Sequence, residues 1–190
     1  MKQLNLLIGI LIGITLFSCS AKDDGVSDGG SGFNIYGENY STPNGYIFTP
    51  FDGASNKAQA IFISNGTVIN NEYYGNSYCD FSNDLTQEVF FYIWPTLITE
   101  LTDGTYTYDL NVDEPNLSDL NNVSFGFNIS MIDNCHYGGY SIRLGEIESG
   151  SLTIEVSGNT YKLSYSFQLV NDEIIKGNFK GELQLIQDFS

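Results

Sequence analysis

The stretch "SLTIEVSGNTYKLSYSFQLVNDEIIKGNFKGEL", residues 151–183, decides the fold. Leu152, Ile154 and Val156 alternate with Thr153, Glu155 and Ser157. Gly158-Asn159 interrupts the run. Tyr161, Leu163, Tyr165, Phe167 and Leu169 then alternate with Lys162, Ser164, Ser166 and Gln168. After a second turn signal at Asn171-Asp172, Ile175, Gly177, Phe179, Gly181, Leu183 and Leu185 oppose Lys176, Asn178, Lys180, Glu182 and Gln184. Successive side chains of a strand point to opposite faces, so a period of two gathers the apolar set on one side. The pattern predicts an antiparallel meander of three strands with one buried face. Gly177 and Gly181 fall on that apolar face, where glycine permits curvature or close packing under a bulky neighbour.

Shorter strand candidates precede the meander, at 33–36, 44–49, 58–65, 88–94, 104–110, 123–130 and 140–146, with turn signals at Asn65-Gly66, Asp103-Gly104 and Gly138-Gly139. Helical periodicity is nearly absent in this part of the chain. Many short strands at this spacing predict an all-β domain of about 8–10 strands, an antiparallel β-sandwich or a barrel-like closure. The 158 residues from Phe33 to Ser190 fit a single β-domain. A chain of that size buries roughly 68–70 % of its unfolded surface, so it has a core of its own.

The first 18 residues read as a secretory signal. Lys2 supplies a positive start, and the apolar run Leu6–Phe17 is 12 residues long. A bilayer core needs about 20, so the run fits the apolar centre of a cleaved signal. Leu16-Phe17-Ser18-Cys19 resembles the bacterial lipobox, in which a small residue precedes a cysteine that becomes lipidated. The resemblance implies cleavage before Cys19 and an anchor of several acyl chains in outer-membrane lipid. One chain alone gives only marginal binding. Ser20-Ala21-Lys22-Asp23-Asp24 is similar to the acidic export signal of one large Gram-negative phylum. That resemblance implies display on the outer face of the outer membrane. Residues 19–32 then form a lipidated linker rich in Ser, Gly and Asp, with an r.m.s. reach of roughly 20 Å.

The stretch "LTDGTYTYDL" (101–110), followed by the meander, is similar to a pattern that recurs in small exported lipoproteins of the same bacterial group. It comprises a Gly-Thr-Tyr strand, a Ser-Gly strand, a Gly-Asn-Thr-Tyr hairpin and a Gly-x-Phe-x-Gly strand. It implies a β-sandwich or barrel-like fold and no particular activity.

Removal of residues 1–18 takes away one lysine and leaves six basic against 23 acidic residues, a formal charge of −17. Nucleic acid is excluded as an expected partner, because phosphate binding needs a basic patch. Anionic membrane surfaces are excluded for the same reason. With Cys19 lipidated, Cys79 and Cys135 remain, and an even pair in an exported chain predicts a disulfide. In the chain-entropy model that bridge stabilises by roughly 4 kcal/mol.

Catalytic motifs are missing. The single histidine, His136, follows Cys135. Cys79, Cys135 and His136 would ligate zinc only as reduced thiols, and structural sites take four ligands at recognisable spacing. Asp113, Glu114 and Asp119 share a loop without the spacing of an EF-hand, and read as solvated acids. No metal or cofactor is expected. A glycosidase would need two carboxylates set across a cleft, and no such pair can be named.

The suggestive feature is aromatic. Tyr73, Tyr74 and Tyr78 lie in the polar, turn-rich "NNEYYGNSYCDF", and Tyr137 and Tyr140 flank glycines beside Cys135. A Cys79–Cys135 bridge would bring these tyrosines together. Tyrosine is common in β proteins as core or edge packing. Exposed among Asn and Asp, it also stacks on sugar rings or anchors a protein partner. In "VFFYIWP", Val89, Phe91 and Ile93 form one face and Phe90, Tyr92 and Trp94 the other, so this strand is buried on both sides or lines a groove. The sequence therefore predicts a non-catalytic cell-surface lipoprotein that binds a glycan or protein ligand. The alternatives are an accessory subunit of an outer-membrane complex without a small ligand and, at lowest weight, a hydrolase.

Overall fold

The structure is a computed structural model and describes residues 30–48, 59–69, 81–93, 101–109, 120–143 and 145–186. These residues are all-β. The strands are β1 (Gly32–Ile35), β2 (Glu38–Ser41), β3 (Asn44–Phe48), β4 (Gln59–Ser64), β5 (Gln87–Ile93), β6 (Gly104–Asp109), β7 (Leu120–Ile132), β8 (Cys135–Ile142), β9 (Ile147–Ser157), β10 (Thr160–Leu169), β11 (Ile174–Gly181) and β12 (Gln184–Ile186). They make two six-stranded sheets, in the orders β2-β1-β11-β10-β9-β6 and β12-β3-β4-β5-β7-β8. The sheets pack face to face as a sandwich and do not close, so the barrel-like alternative does not apply.

The meander forms as expected. Leu163 pairs with Ile154 and with Phe179, and the Gly158-Asn159 turn joins Ser157 to Thr160. Gly158 has φ 60°, the first-position geometry that a two-residue hairpin turn draws from glycine. Leu152, Ile154, Leu163, Tyr165, Phe167, Leu169, Ile175 and Phe179 are all buried. They meet Val89, Phe91, Ile93, Val123, Phe125 and Phe127 of the facing sheet. Aromatic rings dominate the contact: Phe125 lies 5.6 Å from Phe33 and 5.7 Å from Phe167, and Phe91 lies 5.1 Å from Tyr165. Each such ring contributes roughly 1.5–3 kcal/mol through burial.

Two strands fall outside the ten anticipated. β2 has the polar sequence ENYS, which shows no apolar alternation, yet it pairs with β1 through the Tyr36-Gly37 turn. β12 is hidden inside the alternation of 175–185. The chain leaves its sheet after Gly181 and pairs in parallel with β3, so Leu185 is exposed while Ile186 is buried. The one-faced reading thus fails at Leu185, because a change of sheet resets which side is the core.

A further correction concerns Gly138-Gly139, which lies within β8 rather than in a turn. The β7–β8 turn is Asp133-Asn134, both left-handed at φ 50° and 62°. Asn and Asp tolerate that region, so the pair makes the two-residue turn itself. Gly139 (φ 138°) faces a bulge at Asn128, where the pairing register shifts, and a Cβ there would meet the Ile129 backbone at 2.8 Å.

The second sheet is apolar on its outer face too. Tyr46, Phe62 and Ile186 form a small second core with Phe48, Val68, Phe81 and Phe90. This explains "VFFYIW" over its described part: Val89, Phe91 and Ile93 enter the main core and Phe90 joins the second. Trp94 lies outside the described residues.

The strands also define two ends. At one, the Gln87 side-chain amide donates to the Ser41 carbonyl (2.9 Å), and the Thr42 N–H donates to Ser31 (2.9 Å), close to where β1 begins. At the other lie the β1–β2, β8–β9 and β10–β11 turns.

Candidate functional site

β4 ends in Ser64-Asn65-Gly66, and the Asn65 side chain organises the bend. Its carbonyl oxygen accepts the N–H groups of Thr86 (2.8 Å) and Gln87 (2.9 Å), and its amide donates to the Asp84 carbonyl (2.9 Å) and to the Thr86 hydroxyl (3.1 Å). Asn44 caps the same bend by donating to the carbonyls of Asn65 and Gly66, both at 3.0 Å. Thr67 and Ser82 then exchange hydrogen bonds at 2.7 and 2.8 Å, and Val68 pairs with Phe81. The chain therefore leaves at Ile69 and returns at Phe81 through a closed neck. Residues 70–80 lie outside the described residues, and with them Tyr73, Tyr74, Tyr78 and Cys79.

The tip of the β7–β8 hairpin meets this neck. The Asn134 N–H donates to the Asn83 side chain at 2.8 Å, and the Phe81 ring lies edge-on to His136 at 6.4 Å. His136 Nε2 is 3.5 Å from Glu88 Oε2, with both side chains mostly covered. Glu88 and His136 thus form one carboxylate–imidazole contact beside the neck. No three His, Cys, Asp or Glu side chains among them converge on an ion position. Asp113, Glu114 and Asp119 lie outside the described residues. Cys135 opens β8 and is half-buried.

Tyr137 and Tyr140 stand on β8, the edge of its sheet, and are 78 % and 68 % exposed. Tyr140 stacks on Phe127 at 5.8 Å with the rings 17° apart, and Phe127 in turn touches Tyr40 at 5.3 Å. Its ring is thus backed by the core while much of it meets solvent. The described tyrosine pair, the neck and the β1 start all lie at the same end of the sandwich.

Sequence reasoning missed Asn65, Phe81, Asn83 and Glu88. Asn65-Gly66 was legible only as a turn, since a side chain that ties two loops 20 residues apart leaves no periodic signal. No helix among the described residues is long and apolar enough to cross a membrane. Cys19 lies outside them. Comparison with protein-family models, with curated proteins and with solved structures finds no match to this chain.

Proposed function

We propose that this protein is a lipid-anchored lipoprotein of the outer membrane, facing the cell exterior, whose sandwich binds a glycan without catalysis. Anchoring rests on Cys19 and its apolar leader, and outward display on the Lys22-Asp23-Asp24 tract. The observation that carries the binding reading is Tyr140, held flat against Phe127 yet largely exposed, with exposed Tyr137 three residues along the same edge strand. A ring pre-set in this way loses little freedom when it stacks on a sugar face.

In this reading Cys79 bonds to Cys135 and draws Tyr73, Tyr74 and Tyr78 toward the same edge. Two contacts support the pairing. Phe81, two residues after Cys79, sits against His136, next to Cys135, and Asn83 bonds Asn134 on the other side of Cys135. Trp94 is a further candidate from the sequence.

The test is a thermal-shift titration of the Cys19→Ser protein against a panel of polysaccharides. A ligand of the native state raises Tm with dose by mass action. A rise with one polysaccharide that Tyr137→Ala/Tyr140→Ala removes supports the proposal. No rise with any of them refutes a glycan and leaves a protein ligand or an accessory subunit, to be sought by crosslinking on whole cells.

A further inference from the structure

At the end of the sandwich opposite the start of β1, three exposed apolar residues from different elements come level. Tyr36, in the β1–β2 turn, is 54 % exposed, Val170 57 % and Ile174 49 %. The β1–β11 register (Asn34↔Lys176) brings Tyr36, two residues on, to the level of Ile174, two residues back. Ile174 pairs with Gln168, two residues before Val170. Single exposed apolar residues are ordinary on a surface, but a group of them marks contact.

The group is built rather than loose. The Val170 N–H donates to the Glu146 backbone carbonyl (3.0 Å), the Leu169 N–H to the Glu173 carbonyl (2.8 Å) and the Asp172 N–H to the Leu169 carbonyl (3.0 Å), so backbone bonds fix the β10–β11 turn. Tyr36 occupies left-handed backbone at φ 53°, where Asn or Gly is the usual choice. A bulky aromatic ring thus stands exposed at a strained turn position. Four exposed acidic residues stand on the same turns: Glu38, Glu173, Glu146, whose Oε2 accepts the Arg143 N–H at 3.1 Å, and Asp172, whose Oδ1 accepts the Gln168 amide at 3.5 Å. Of the nearby basic residues, Arg143 is tied back to Ser141 through its Nε (2.7 Å), and Lys176 stands on β11 beyond Ile174.

We infer that this end is a docking surface for a basic protein segment that carries an apolar side chain. The apolar centre with a polar, charged rim is the anatomy of a protein interface, and the negative rim selects a positive partner. The surface lies at the far end from both the start of β1 and the tyrosine edge, so the two sites can be filled together.

The test uses the intact chain with Cys19→Ser and two synthetic peptides of equal charge, one of Lys and Leu, the other of Lys and Ser. The Lys/Leu peptide is expected to bind at least tenfold more tightly, and Val170→Ser/Ile174→Thr, which leaves the charge unchanged, is expected to remove that tenfold. Amide shifts on binding are expected around residues 36–38, 146 and 170–174. Tyr36→Asn, a variant that relieves the turn, is expected to raise Tm while weakening the peptide. Equal affinity for the two peptides overturns the inference, as does full Lys/Leu binding by both variants. So does self-association of the protein that Val170→Ser/Ile174→Thr abolishes, which would make a second copy the occupant, or a preference for phosphatidylcholine vesicles over the peptide.

Discussion

The Asn134 N–H donates to the side-chain oxygen of Asn83 at 2.8 Å, and this bond fixes the tip of the β7–β8 hairpin to the neck beside Phe81. In the chain, Cys135 directly follows Asn134 and Cys79 precedes Asn83 by four residues. Non-reducing peptide mapping is therefore expected to recover the two cysteines in one disulfide-linked fragment. Cys135→Ser is expected to lower stability by about 2–4 kcal/mol. Separate alkylation of both thiols in the untreated protein would refute the bridge.

Asn65 predicts the cost of losing the neck. Asn65→Ala leaves the exposed N–H of Thr86 and the half-buried N–H of Gln87 without their acceptor, and a typical hydrogen bond contributes roughly 0.5–1.5 kcal/mol net. The expected outcome is a loss of about 1–2 kcal/mol in urea melts and faster proteolysis between residues 69 and 81. Asn65→Asp retains the acceptor and is expected to lose less. Equal losses for the two variants would show that the acceptor is not the important part.

Tyr165 lies across from Gly177, and a Cβ at Gly177 would clash with the hydroxyl edge of the Tyr165 ring. Gly177→Ala is expected to destabilise by about 1–3 kcal/mol, because an overfilled core must shift the ring or the strand. For a domain of this size that is a fall in Tm of roughly 2–4 °C per kcal/mol. An unchanged Tm would contradict the close approach.

Tyr165 also gives a pH prediction. It is buried and its hydroxyl donates to the Gly32 carbonyl at 3.2 Å. Burial pushes its phenol far above the usual tyrosine range. Its folded-state value is raised, so its contribution to stability is fully present below about pH 10 and is lost as pH rises beyond that. Above pH 10 the stability gap between wild type and Tyr165→Phe is expected to move against wild type by about 1.4 kcal/mol per pH unit. Parallel curves through pH 10–11 would exclude this origin.

The sequence made the sandwich legible where one face is buried and the other wet. Leu152 to Phe179 alternate as they do because β9, β10 and β11 stay in one sheet. It failed where a strand changes sheet, at Leu185, and where a short polar strand is carried by its partners, at β2. Gly138-Gly139 misled because glycine marks a bulge as readily as a turn. At the candidate site, Tyr137 and Tyr140 stood out in their polar, glycine-rich setting, but their exposure was not legible, since tyrosine packs into β cores and edges as readily. Nor was the Phe127 ring behind Tyr140, since cross-strand stacking depends on register.

The most direct test of the central claim is calorimetric titration of a polysaccharide that raises Tm, with wild type and with Tyr137→Ala/Tyr140→Ala. The account predicts a loss of affinity of at least tenfold, about 1.4 kcal/mol, with the unliganded variant folded and its Tm lowered only by the roughly 1–6 °C that loss of the Tyr140–Phe127 stack entails. Undiminished affinity in the variant would contradict it, and would remove the β8 tyrosines from the binding surface.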